Sequence, residues 1–142
     1  MQIRDAEAAD SRLMLPLLEE LGYPTKEEDA RTRIERSRAN DSYELWVAED
    51  DGVLLGFLGA HVIWPLTRNE AVAQITSMAV SPETQGRGVG RALVAHFEDW
   101  TVSAGIPSAL VTSASRRDGA HRFYERLGYS ETGKRFGKPL ND

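Results

Sequence analysis

The sequence predicts a mixed α/β fold, of α/β or α+β type, on three observations. Strand-like apolar runs alternate with stretches of helical periodicity along the 142 residues. Residues 85 to 90 read Q-G-R-G-V-G, a glycine-rich turn between an apolar run and an amphipathic helix. Residues 118 to 127 carry a second amphipathic pattern, closed by Gly128. No linker or repeat interrupts this order, so residues 1–142 read as one domain.

The elements follow in order. Met1 to Asp5 reads as a short strand. Asp10 caps a helix with apolar positions Leu13, Leu17, Leu18 and Leu21, and Pro16 inside it is a candidate kink. Gly22-Tyr23-Pro24 stops that helix. Thr25 and Glu28 form a T-x-x-E capping box for a second helix reaching Arg38, with Lys26 to Asp29 as a solvated first turn. Leu45 to Glu49 and Val53 to Ile63 are strands joined at Asp51-Gly52, a hairpin signal. Ala73 to Val80 is the next strand, ended by Ser81-Pro82. The following helix, Val89 to Ala104, puts Val89, Leu93, Phe97 and Trp100 on one stripe. Ala109 to Thr112 is a short strand, Asp118 to Leu127 a helix, and Phe136 to Leu140 a last strand.

Composition narrows the function. The chain has no cysteine, which excludes disulfides, thiolate metal sites and cysteine nucleophiles; no metal is expected. No N-terminal apolar segment suggests a leader or membrane span, so a cytoplasmic location is the expectation. The net charge of −5 argues against nucleic acid as the main partner and favours a cationic or amine substrate. Positive charge is concentrated at Arg87, Arg91, Arg116, Arg117 and Arg122. A membrane partner is not expected, and assembly is open between monomer and homodimer.

A glycine-rich turn opening a helix aims backbone N–H groups at one point, at the positive end of the helix dipole. Gly86, Gly88 and Gly90 lack a Cβ, so a phosphate or pyrophosphate could lie against the main chain. No G-K-[ST] closes the turn as in a P-loop, and spacing and position do not suit a dinucleotide fingerprint. A kinase loop would need downstream motifs that this chain lacks. The plainer alternative is a strand-to-helix turn whose glycines permit close packing.

The stretch A-H-R-F-Y-E-R-L-G-Y, residues 120 to 129, joins Q-G-R-G-V-G and the strand ending M-A-V-S-P. Together they resemble the GNAT superfamily of acyl-CoA-dependent N-acyltransferases. Gln85, Gly88 and Gly90 match that family's Q/R-x-x-G-x-G/A loop. Ala120, Tyr124, Gly128 and Tyr129 match its later A-x-x-x-Y-x-x-x-G-F/Y element. The stretch from Thr112 to Tyr129, with the ending K-R-F-G-K-P-L, is also similar to aminoalkylphosphonate N-acetyltransferases. The resemblance implies a largely antiparallel mixed sheet, flanked by helices and splayed between its fourth and fifth strands. It implies acetyl-CoA as cosubstrate and transfer to a primary amine of a small molecule or peptide, by direct attack in a ternary complex. A non-catalytic acyl-CoA-binding module is the alternative.

It also implies site residues. The cofactor would contact Met78, Ala79 and Val80 along the strand edge. It would contact Gln85, Gly86, Arg87, Gly88, Val89, Gly90 and Arg91 at the turn, and Arg117 and Tyr124 further on. A main-chain N–H near Met78 would polarise the thioester carbonyl. Tyr124 is the candidate acid for the leaving thiolate; a phenol's reference pKa near 10 lies above a thiol's near 8.5, so proton transfer needs help from local fields. The plainer reading of Tyr124 is a half-buried helix aromatic. No carboxylate stands in Q-I-T-S-M, so His61 is the candidate base, with a sheet histidine as the alternative. His96 and His121 are expected on the surface. Glu20, Tyr23 and the connection from Trp64 to Glu70 are candidate walls of the acceptor pocket.

Overall fold

The computed structural model describes residues 1–84, 86–112 and 118–141. Among these residues, five strands form one open sheet in sequence order. Strands β1 (Gln2–Asp5), β2 (Tyr43–Asp50), β3 (Val53–Ile63) and β4 (Val72–Val80) pair antiparallel, and β5 (Ala109–Val111) lies parallel to β4. Among the described residues, four α-helices flank the sheet: α1 (Ser11–Leu21), α2 (Glu27–Arg38), α3 (Val89–Ser103) and α4 (Asp118–Arg126). This is the mixed α/β order that the sequence predicts, with the largely antiparallel sheet that the resemblance implies.

The splay is also where the resemblance puts it. β5 pairs only with Ala73, Gln74 and Ile75, while β4 runs on to Val80. Among the described residues, the outer edge of β4 from Thr76 to Val80 has no strand beside it.

Two apolar layers hold the sheet. On one face Met14 and Leu17 of α1 and Ile34 of α2 cover Val47, Leu54 and Phe57. On the other, Val89, Leu93 and Phe97 of α3 cover Trp46, Leu55, Leu58 and Ile75. Each fully buried side chain of this size contributes about 1.5–3 kcal/mol through removal from water. Trp100 completes the stripe edge-on to Trp46, with ring centroids 5.5 Å apart. Helix α3 lies close because β3 carries Gly56, where a Cβ would come within 2.8 Å of the Ala79 carbonyl oxygen and 3.1 Å of Leu93.

Local signals explain most boundaries. Asp51 and Gly52 both adopt left-handed backbone (φ 49° and 76°), as a two-residue turn of type I′ requires. Gly22 ends α1 at φ 103°; its N–H reaches Glu19 O, and Tyr23 N–H reaches Leu18 O. Gly128 repeats the device after α4, with Gly128 N–H on Glu125 O and Tyr129 N–H on Tyr124 O.

Several expectations need correction. Thr25 is not a cap: Lys26 occupies that position without a side-chain bond, and the Thr25 hydroxyl donates to Tyr23 O at 2.6 Å. Leu13 faces solvent and Met14 takes the buried position, because the stripe is set by Met14 and Leu17. Asp10 caps nothing in α1; its carboxylate accepts the Glu7 N–H at 2.8 Å and two bonds from Arg4 at 2.9 Å. Arg4 also holds Glu49 at 2.6 Å, tying β1, β2 and the entry to α1 together. Residues 136–140 form no strand, and Phe136 and Leu140 are exposed, without an apolar surface to pay for ordering them.

Candidate active site

The open edge of β4 forms one wall of a cavity of about 1290 Å³. Ile75, Thr76, Ser77, Met78 and Val80 line it from the strand. Gly86, Gly88, Val89, Gly90 and Arg91 line it from the turn, and Ala120, Phe123, Tyr124 and Arg126 from α4. Leu18, Leu21, Gly22, Tyr23, Pro24 and Thr25 line it at the α1–α2 junction, with Arg33 of α2. One continuous space therefore runs from the glycine turn, past the strand edge, to the α1–α2 junction.

The turn owes its shape to its glycines. Gly86 and Gly88 are left-handed (φ 85° and 74°), and space is open where their side chains would be. The first helical bond of α3 joins Ala92 N–H to Gly88 O at 3.0 Å. The amides of Val89, Gly90 and Arg91 precede it and have no partner within the helix, the arrangement that receives an anion. Gly90 serves packing as well. A Cβ there would meet Phe123 Cζ at 3.3 Å and Val80 Cγ2 at 3.5 Å, so this glycine lets α4 close on α3.

Tyr124 lines the cavity from α4. Its side chain is buried (9% exposed) and packs edge-on against Phe123 and Tyr129. Its hydroxyl lies 4.0 Å from the Met78 thioether, a weak acceptor, which leaves the O–H free for a stronger one. Burial pushes the phenol up to about 12. The local environment therefore raises this phenol where full proton transfer would need it lowered. Handing the proton to a thiolate of pKa near 8.5 would cost about 5 kcal/mol. The group is equipped to donate a hydrogen bond. Tyr129 beside it is raised further, by burial and by donating to Glu98 Oε2 at 2.7 Å.

Other expected residues are dispersed. His61 does not line the cavity. It stacks on Tyr43 (centroids 4.3 Å apart) and sits opposite Gln74 in the register, three residues along β3 from the Met78 partner Leu58. Three residues of strand is about 10 Å. The sheet-histidine reading fits it. The 64–70 connection also lies off the cavity, and Glu20 and Glu70 do not reach it; Tyr23 does. Arg87 turns to Asp50 at 3.1 Å on the β2–β3 hairpin. Ala79 points into the α1–α2 layer, so only its main chain can serve a ligand at the edge. His96 is half-buried against Trp46 rather than on the surface. Gln85 and Arg117 lie outside the described residues.

Sequence reasoning placed Arg91 in the site but missed the other arginines. Arg33, Arg91, Arg126 and Arg135 line the cavity, and among the described residues no carboxylate or histidine does. The expectation of a cationic substrate rested on net charge, which the cavity does not share. Only Arg91 had a local signal, its place after the turn.

The profile of the Acetyltransferase (GNAT) family matches residues 11–129. The chain is 34% identical over 91 residues to aminoalkylphosphonate N-acetyltransferase of Salmonella typhimurium, a match covering 63% of this chain and 58% of that protein. The curated relatives extend well beyond the matched stretch. Among solved structures, a GNAT family acetyltransferase of Staphylococcus aureus superposes with a TM-score of 0.84 at 22% identity, covering 98% of each chain. A protein of Bacillus halodurans described as a transcriptional regulator gives 0.89 at 21%, covering 98% of this chain and 99% of that one. At these identities the two structures speak to the fold alone. No helix among the described residues is long and apolar enough to cross a membrane.

Proposed function

The chain belongs to the Acetyltransferase (GNAT) family, and from that premise we propose that it moves an acetyl group from acetyl-CoA to a primary amine of a small molecule or peptide, by direct attack in a ternary complex. The observation that carries this reading is the Tyr124 hydroxyl, held in a buried side chain with only the weak Met78 thioether as acceptor, beside the open edge of β4 inside the cavity that the glycine turn lines. The cofactor's pyrophosphate is assigned to the amides of residues 88–91 with Arg91. Its pantetheine arm is assigned to the edge from Met78 to Val80, as an added strand would lie.

The roles follow from the chemistry. A neutral amine attacks the thioester carbonyl carbon. Negative charge gathers on the oxygen, where a main-chain N–H near Met78 stabilises it. The C–S bond breaks as the C–N bond completes, and Tyr124 donates its O–H to the departing sulfur. The nitrogen's extra proton passes to water in the open cavity, because no described side chain there is placed to take it; solvent returns a proton to the thiolate.

The test is free-thiol release from acetyl-CoA across a panel of amines, with calorimetric titration of acetyl-CoA alongside. Amine-dependent release supports transfer. Tight binding with no release from any amine would support the acyl-CoA-binding module instead.

A further inference from the structure

We infer that the acceptor amine carries a second, anionic group — a carboxylate or phosphonate — and that Arg33 grips it at the α1–α2 end of the cavity. This rests on the transfer reading above and names its substrate class. The cavity's four described charged side chains are all arginines, in a chain with 22 acidic and 17 basic residues. Elsewhere this acidic surplus is used: Arg4 holds Asp10 and Glu49, and Arg87 holds Asp50. None of the four cavity arginines forms an ion pair with a described residue.

Position separates their tasks. Arg91 stands at the start of α3, beside the turn. Arg33 stands on α2, in the helical layer on the other face of the sheet. Its guanidinium donates to the Thr25 hydroxyl at 3.2 Å, which leaves most of its five N–H donors for a ligand. Tyr23, Pro24 and Leu21 surround that end with apolar surface. A guanidinium so framed suits the planar or tetrahedral oxygens of carboxylate and phosphonate. A polyamine would instead meet like charge without a carboxylate to offset it.

The experiment compares kcat/KM for 2-aminoethylphosphonate and β-alanine with that for ethanolamine and propylamine, at saturating acetyl-CoA. The two acidic amines should lead by about 10- to 100-fold, the scale of one charge-assisted contact, and the leader of the two identifies the anion. Arg33→Gln should bring that ratio close to one by raising KM for the acidic amines, and Arg33→Lys should retain part of it. Arg36→Gln, on the same helix outside the cavity, should leave the ratio intact. Preference for ethanolamine or propylamine, or a ratio that survives in Arg33→Gln, would overturn the inference. If no amine is turned over, 2-aminoethylphosphonate is titrated calorimetrically into the protein–CoA complex. Binding that disappears in Arg33→Gln upholds the anion site while the transfer reading fails, and no binding to the unsubstituted protein overturns the site itself.

Discussion

The Tyr124 hydroxyl lies 4.0 Å from the Met78 sulfur, across the gap between α4 and the open edge of β4. The two residues are 46 positions apart, brought together because Gly90 lets Phe123 settle against α3 and Gly56 lets α3 settle on the sheet. The thioether is a poor acceptor, and a ligand sulfur bearing developing charge would be a better one. Placement and raised pKa point the same way, to a phenol that stabilises by donation and stays protonated.

Tyr124→Phe should therefore lower kcat by roughly 10- to 1000-fold with little change in acetyl-CoA affinity. The sign of the pH effect follows from burial. The donor form is lost only as pH rises through about 12, so Tyr124 contributes no falling limb between pH 6 and 10. Steady-state kinetics and calorimetry check both. Equal losses in kcat and affinity would make Tyr124 a binding residue.

Gly88 and Gly90 should fail differently. Gly88→Val places a branched side chain at φ 74° in open space, which costs about 1–2 kcal/mol and disturbs the anion-facing amides. The expected outcome is a folded protein that no longer binds acetyl-CoA. Gly90→Val drives against Phe123 and Val80, so it should also lower the melting temperature. Unchanged affinity in folded Gly88→Val would remove the turn from the binding site.

His61→Gln should leave the pH profile of kcat/KM unchanged. With no described base in the cavity, the rising limb should follow the pKa of the acceptor amine itself and shift when a less basic amine is used. A limb that disappears in His61→Gln would return the histidine to the mechanism.

Asp10→Asn should destabilise by about 1–3 kcal/mol at neutral pH, since it leaves the part-buried Arg4 with one carboxylate fewer. The Arg4 hydrogen bonds hold the Asp10 carboxyl below its ordinary value, against burial that raises it. Its stabilisation is therefore full above the unfolded-state value near 4 and is lost as pH falls through the lower folded value. Denaturant melts should show the two proteins converging in acid.

Legibility in the sequence followed the range of each signal. The Asp51-Gly52 hairpin, the stops at Gly22 and Gly128 and the α3 stripe were readable because each depends on residues a few positions apart. The splay of the sheet was reached only through family resemblance, since nothing in the short run at 109–111 says that it pairs with three residues of β4 and then leaves. Residue type points to His61 through its reactivity but says nothing of its position. Only the register, with its irregularity between Gly59 and Ala60, puts it opposite Gln74. The cavity arginines other than Arg91 were hidden for the same reason. Arg33 and Arg135 are 102 positions apart and look like ordinary surface charge until the fold gathers them around one space.

The most direct test of the account is a single-turnover reaction of the unsubstituted protein with stoichiometric acetyl-CoA and an excess of primary amine, quantifying free thiol and N-acetylated amine together. The account predicts that the two appear in equal amounts and at the same rate, and that Tyr124→Phe slows both alike. Thiol that appears without acetylated amine, or no thiol from an enzyme shown to hold acetyl-CoA, would contradict it.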